Sequence, residues 1–518
     1  MILKQYNKIS WLIFSILIYN YIEESVGTKE VTSSLVYSPN NRRWVNDPNG
    51  LVYVDKEYHL FYQHNPNGDG WGDISWGHAV SNDLVSWVDR GVALPYNATT
   101  GEMIFSGSAV YDEMNTSKLG SADAPPIVAI YTSFYTKEVK TASGDVIEKD
   151  TQSQSIAYST DKGKTWKYYE QNPVLKHPPA IYASEFRDFR DPKVFWYEPH
   201  KKWIMVNVLS KLKKALFYSS QNLKEWTHMS EFTTDNSPDG IWECPDIFEM
   251  QVAGENKKKW VLIISTNPGG LAGGSGMHYY VGEFDGYSFK KDKTQTNEIK
   301  WLDYGSDFYA GVTWNNISPR RIIIGWVDNW DYAGNITANW RGALGLPREL
   351  SLINDKDNFK IAQAPIDTIA NYRKENYKYK QEDFNKGIEI KVNNAYEVHI
   401  DILGADKKGL SIALDDGKNN VYASIDYFEK NKEISITKKN VVSSEGSQEY
   451  DIHVAKYNAT HNSKMTLLID DNTFTLFLDK GTIVFTELLM SSVNRRLSNK
   501  NTSTDSLEIT MWRLSSNA

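Results

Sequence analysis

The sequence predicts an all-β protein in which five copies of a small antiparallel sheet are followed by a separate β-rich domain. Three observations carry that expectation. Tyr, Trp and Phe make up 13% of the 518 residues, and aromatic side chains favour strands and offer flat surfaces to sugar rings. Short apolar runs recur through the first two thirds of the chain with no helical periodicity between them. Beyond Pro365 that repeat gives way to segments that largely alternate apolar with polar residues.

The apolar runs cover residues 58–62, 127–132, 203–208, 260–265 and 322–327. Each is short enough for a buried strand. Ahead of every run stands a polar or acidic cluster leading into another apolar stretch. These clusters are Asn46-Asp47-Pro48-Asn49-Gly50, Phe105-Ser106-Gly107-Ser108, Arg190-Asp191-Pro192, Glu243-Cys244-Pro245-Asp246 and Asp307-Phe308-Tyr309. After most runs comes a turn that ends in an aromatic residue: Trp87, Trp166, Trp226 and, more loosely, Phe289. Five such units argue for a five-bladed β-propeller, with an irregular sandwich as the alternative. The first strand of a propeller blade lines the central channel, so the clusters should meet at one end of the axis and bring Asp47, Asp191 and Glu243 into one pocket.

The C-terminal third reads differently. Residues 366–376 suggest a short helical linker, and segments 388–392, 434–437 and 465–469 look like strands of a β-sandwich. The expected organisation is a leader over residues 1–27, a propeller over 28–365, a linker over 366–376 and a sandwich over 377–518. The leader rests on Lys4 and Lys8 ahead of an apolar stretch from residue 9 to 19, with small residues at Ser25 and Gly27. An uncleaved anchor is the alternative, and it is disfavoured because Glu23 and Glu24 end the run abruptly. Asn-x-Ser/Thr sequons at Asn97, Asn115, Asn316, Asn335, Asn458 and Asn501 suit a secreted glycoprotein that leaves the membrane once the leader is removed.

Charge and cysteine content exclude whole classes of function. Lys and Arg number 57 against 65 Asp and Glu, a net charge of −8 with no long basic run, so nucleic acid is not an expected partner. The single cysteine, Cys244, rules out an intrachain disulfide, a redox pair and a cysteine-rich zinc site. With no His nearby in sequence, its thiol reads as inert rather than nucleophilic.

Three carboxylates without a Cys or His cluster suit attack on an acetal, with no metal and no cofactor. In glycoside hydrolysis one carboxylate attacks the anomeric carbon while a protonated acid serves the leaving oxygen. Arg190 should hold its neighbour Asp191 ionised, and Glu243, between Trp242 and Cys244, sits among apolar neighbours that suit the proton donor. Each acid alone is weak testimony, since an Asp in Asp-Pro-Asn-Gly is commonly a turn former. Their shared place in the repeat strengthens the functional reading.

At these residues a family resemblance emerges. Trp44-Val45-Asn46-Asp47-Pro48-Asn49-Gly50, Phe189-Arg190-Asp191-Pro192 and Trp242-Glu243-Cys244-Pro245 resemble the signature motifs of glycoside hydrolase family 32, the invertases, inulinases and levanases. The resemblance runs from about Tyr37 to the C-terminus. Gln152-Ser153-Gln154-Ser155-Ile156-Ala157-Tyr158-Ser159 and Asn267-Pro268-Gly269-Gly270 look most like the exo-acting members. It implies a five-bladed propeller followed by a β-sandwich, with Asp47 as nucleophile, Glu243 as acid/base and Asp191 as stabiliser of the transition state. By the same resemblance Asn46, Gln63, Trp71, Ser106, Arg190 and Trp340 hold the terminal fructosyl unit, although Trp71 and Trp340 could equally be core aromatics. Two departures stand out. Val45 replaces the usual Met, a tolerable apolar swap, and Asp470-Asp471-Asn472-Thr473-Phe474-Thr475 lacks the Ser and Glu common there, which leaves contacts between domains or subunits open. The expected activity is secreted, retaining exo-β-fructosidase action on fructans and sucrose. A fructosyltransferase and a lectin-like protein that has lost catalysis are the alternatives, and a homodimer is an open option.

Overall fold

The computed structural model describes residues 35–515 apart from 142–143, 294–297, 337–339, 404–409, 419, 442–448, 459–461, 490–492 and 502–505. The expected leader lies outside the described residues. Among them, the N-terminal region forms five large antiparallel sheets in succession, with a two-stranded pair, Val139–Lys140 and Val146–Ile147, inserted within the second. The first runs Val45–Val54, Glu57–His64, Ser75–Ser81 and Val88–Leu94. The others open with Glu102–Tyr111, Phe189–Tyr197, Ile241–Gln251 and Tyr309–Thr313. Each has four strands along its main path, and the fourth sheet carries Lys300–Trp301 as an extra strand. The apolar runs of the sequence are the second strands, covered on both faces and therefore apolar at nearly every position. The opening strands, here called inner strands, touch in cyclic order, each meeting the next and the fifth meeting the first.

The turns between third and fourth strands repeat one hydrogen-bond pattern. Asp83 Oδ1 accepts the amides of Val85 and Ser86, as Asn222 Oδ1 accepts those of Lys224 and Glu225 and Asp285 Oδ1 those of Tyr287 and Ser288. A short polar side chain that satisfies two backbone donors explains why Asp or Asn recurs there.

The C-terminal region consists of two six-stranded sheets. One has the order Arg373–Lys380, Ser506–Leu514, Ala395–Leu403, Asn462–Ile469, Thr473–Leu478, Ile483–Leu488. The other runs Ile388–Ile390, Arg495–Asn499, Leu410–Asp415, Val421–Phe428, Glu433–Lys439, Tyr450–Lys456. Residues from both, among them Val398, Ile400, Ile425, Ile436 and Phe485, share one apolar core. Over 366–376, where the sequence suggests a helical linker, a 3-10 helix covers Asp367–Tyr372 and a strand starts at Arg373. That strand is mostly exposed, so no apolar pattern marks it.

The two regions meet along the strand Ile483–Leu488. Segment 303–307 runs beside its free edge, with Tyr304 N donating to Val484 O at 2.7 Å and Asp307 N to Thr486 O at 3.0 Å. An otherwise open sheet edge is thereby covered.

Candidate active site

All five inner strands are interrupted at one level. The register with the second strand slips between Val45 and Pro48, Phe105 and Gly107, Arg190 and Lys193, Glu243 and Asp246, and Tyr309 and Val312. Each slip is a β-bulge, which bends the strand and re-aims its side chains. The bulges fall at Asn46-Asp47, Ser106-Gly107, Asp191-Pro192, Cys244-Pro245 and Ala310-Gly311. Proline fits because a bulge needs no ladder donor. Gly107 is required for space, since a Cβ there would lie 2.1 Å from Ile130 O.

This alignment revises one expectation from the sequence. Asp47 and Asp191 both stand within their bulges, but in the fourth sheet Cys244, not Glu243, is the bulge residue. Glu243 lies one residue earlier and, like Val45, Arg190 and Tyr309, is the last paired residue before the slip. Two adjacent rings of side chains, not one, bring the acids together.

In the bulge ring, Asp191 (φ 62°) and Cys244 (φ 45°) adopt left-handed backbone conformations. Their amides leave the strand ladder for side-chain acceptors. Asp191 N donates to Thr132 Oγ1 at 2.9 Å, and Cys244 N donates to Asp191 Oδ2 at 2.9 Å. Asp47 Oδ2 accepts from Ser106 Oγ at 2.6 Å and from Cys244 Sγ at 3.4 Å, while Asn46 Nδ2 donates to Asp47 Oδ1 at 3.0 Å. In the ring above, Glu243 accepts from Arg190 Nη2 at 3.1 Å and from Tyr309 Oη at 2.5 Å. Gln152 Oε1 accepts from Arg190 Nη1 at 3.2 Å. Trp242, the expected apolar neighbour of Glu243, packs away from it with Ile204, Phe217 and Leu262, because successive strand residues face opposite sides. The surroundings of Glu243 are therefore a guanidinium and a phenol.

Burial governs the charges. It raises the Asp47 carboxyl above its ordinary range; the Ser106 hydrogen bond opposes this and the Glu243 charge adds to it. Burial also pushes Asp191 up to about 7, with Arg190 pulling the other way and Glu243 reinforcing the rise. Arg190 thus favours the ionised form of Asp191, as expected, but offsets burial only in part: the guanidinium Nε is 3.9 Å away and is shared with Glu243 and Asp188. The Cys244 thiol is raised well above its usual value by burial and by Asp191 and Asp47, which fits an inert group.

The remaining predicted residues divide. Asn46, Ser106 and Arg190 stand with the acids. Gln63 lies opposite the first bulge, where its amide donates to Asn49 Oδ1 at 2.6 Å and to Ile104 O at 2.9 Å. Trp71 is 48% exposed and meets Phe105 edge-on at 5.9 Å, so it is no core residue. Trp340 is buried, and its indole N–H donates to Asp328 Oδ2 at 3.0 Å. A small, partly open cavity adjoins the bulges, lined from all five inner strands by Asn49, Ser106, Asp191, Cys244 and Thr313 among others. Tyr309, Gln152 and Thr132 are contacts that sequence reasoning missed. The place of Tyr309 one residue before the bulge, level with Arg190 and Glu243, was the signal that could have found it.

Known proteins resemble this chain in sequence and in fold. The N-terminal domain profile of glycosyl hydrolases family 32 fits residues 37–365. Over 341 residues the chain is 45% identical to an extracellular exo-inulinase of Aspergillus niger, covering 64% of this chain and 63% of that protein. Over 343 residues it is 47% identical to a levanase of Bacillus subtilis, covering 65% and 47%. These matches span less than two thirds of the length of either relative. The crystal structure of exo-inulinase from Aspergillus awamori superposes with a TM-score of 0.86 at 33% identity, covering 94% of this chain and 99% of that one. The chain belongs to family 32 of the glycosyl hydrolases.

Proposed function

We propose that the protein is a secreted, retaining exo-β-fructosidase that releases terminal fructose from fructans and from sucrose. The observation that carries the reading is the convergence of Asp47, Asp191 and Glu243 at the bulges of the inner strands, cross-linked by Arg190 and Cys244. The names of the relatives, exo-inulinase and levanase, support the substrate class. The cyclic contacts of the inner strands support a five-bladed propeller over 28–365, and the shared core of the two large sheets supports a sandwich over 377–518. Secretion is supported by the extracellular relative and by exposed sequon residues at Asn97, Asn316, Asn335 and Asn458, while Asn115 and Asn501 are partly buried. Among the described residues no helix is long and apolar enough to cross a membrane.

In the proposed reaction an Asp47 carboxylate oxygen bonds to the anomeric carbon as the bond to the leaving oxygen breaks, and Glu243 gives that oxygen its proton. Water then attacks the same carbon, Glu243 takes the water's proton, and Asp47 departs. One water is consumed per bond cleaved. Asp191 and Arg190 hold the fructosyl hydroxyls, and Tyr309 orients Glu243.

Product analysis on sucrose, inulin and levan tests the activity, with early NMR reading the anomer. Two inversions give β-fructose first. If α-fructose appears first, Asp47 is not the nucleophile. Oligosaccharide products in place of free fructose would reassign the protein as a transferase, and no turnover at all would leave a binding protein.

A further inference from the structure

The surroundings of Trp340 come from both regions of the chain. Trp340 belongs to one buried apolar cluster with Val327, Ile336 and Ala343 of the N-terminal region and Leu488 of the C-terminal one, and Tyr332 and Val441 pack against that cluster. Two residues along the chain, Gly342 adopts φ 83°, and a Cβ there would meet Val45 O at 2.0 Å. Val45 N donates to Arg341 O at 2.8 Å. The Trp340 segment therefore lies against the first inner strand, two residues from Asp47.

Leu488 is fixed in turn by a buried ionic cluster. Asp307 Oδ2 accepts from Leu488 N at 2.8 Å, from Lys438 Nζ at 2.7 Å and from Ser306 Oγ at 2.7 Å, and Tyr332 Oη donates to Asp307 Oδ1. Lys438 also donates to Ser306 Oγ at 2.8 Å and lies 3.3 Å from Glu487, whose other oxygen meets His453 Nδ1 at 2.7 Å. The side chains of Asp307, Lys438 and Glu487 are wholly buried. Removing ions from water is costly, and an apolar contact would join two domains at least as well. What directional charged bonds add is a defined geometry, here that of Leu488 and Tyr332 against Trp340.

We propose that Leu488, anchored by Lys438 through Asp307, is a positioning residue for Trp340, so that the C-terminal region completes the substrate site. The proposal rests on the reading of Trp340 as a contact to the terminal fructosyl unit.

Steady-state kinetics on sucrose with Leu488→Ala, Trp340→Ala and the double variant test it. Trp340→Ala should lower kcat/KM by about tenfold or more, since a sugar held loosely loses its alignment with the reacting groups. Leu488→Ala should lose about three- to tenfold, mainly through KM, and should add no further loss in the Trp340→Ala background, because it acts through that ring. Lys438→Met, where it folds by circular dichroism, should reproduce the Leu488→Ala defect; if it fails to fold, the Leu488 and Trp340 cycle decides alone. Wild-type kinetics for Leu488→Ala, or losses that multiply in the double variant, would overturn the proposal. Wild-type kinetics for Trp340→Ala would refute its fructosyl contact, and the positioning role with it, even while an inactive Asp47→Ala upheld the family chemistry.

Discussion

Ser106→Ala should displace the acid limb of activity upward. The Ser106 hydroxyl donates to Asp47 Oδ2 at 2.6 Å inside a mostly buried site. It is the strongest influence opposing the burial that raises the Asp47 carboxyl. A hydrogen bond to a charged group contributes about 1.5–3 kcal/mol, and one pKa unit corresponds to about 1.4 kcal/mol. The ionised form alone loses this donor, so the Asp47 pKa rises by about 1–2 units in the variant. Attack requires ionised Asp47, so the acid limb of kcat/KM should move up by the same amount. On the acid side of that limb the variant loses about 10–100-fold, and well above it much of the rate returns. Initial rates on sucrose between about pH 3 and 8, at constant ionic strength, read the limb directly. A uniform drop at every pH with the limb unmoved would refute the reasoning and leave Ser106 as a sugar contact only.

Asp47→Ala and Glu243→Gln should each abolish nearly all hydrolysis in a folded protein, and the double variant should lose little more because the two groups act as a unit; near wild-type turnover in either soluble variant counts against the assignment. Tyr309→Phe removes the donor 2.5 Å from Glu243 and should lower kcat by about 10–100-fold with KM little changed; an unaltered kcat would show that the phenol does not orient the acid. Acid should destabilise the fold through buried histidines, since burial lowers His59 to about 4 and His278 to about 3. The unfolded chain takes up these protons near 6.5 and the folded one only far below, so stability falls as pH drops from about 6.5 toward 4. Thermal melts across that window should show the slope, and His278→Phe should flatten it; an unchanged slope would place the acid sensitivity elsewhere.

Much of this protein was legible in the sequence because its signals are local. Second strands buried on both faces are apolar at nearly every position, so five of them surfaced as runs. The motifs around Asp47, Asp191 and Glu243 were readable because bulges admit Pro and Gly where a regular strand would not. The strand from Arg373 escaped notice because a mostly exposed edge strand carries no apolar pattern.

Partners and charge states were decided only by the tertiary structure. The residue that the fourth sheet's bulge brings to Asp47 is Cys244, and this depends on where the register slips, not on which acid is nearest in sequence. The state of Asp191 depends on how far burial outweighs a guanidinium that three carboxylates share, and the adjacency of Arg190 in sequence could not report that balance. The donors to Glu243 come from residues 53 and 66 positions away, and the cluster behind Trp340 joins Asp307 to Lys438 across 131. Periodicity records which face of a strand is covered, whereas electrostatics depends on distances in space between segments that the sequence keeps apart.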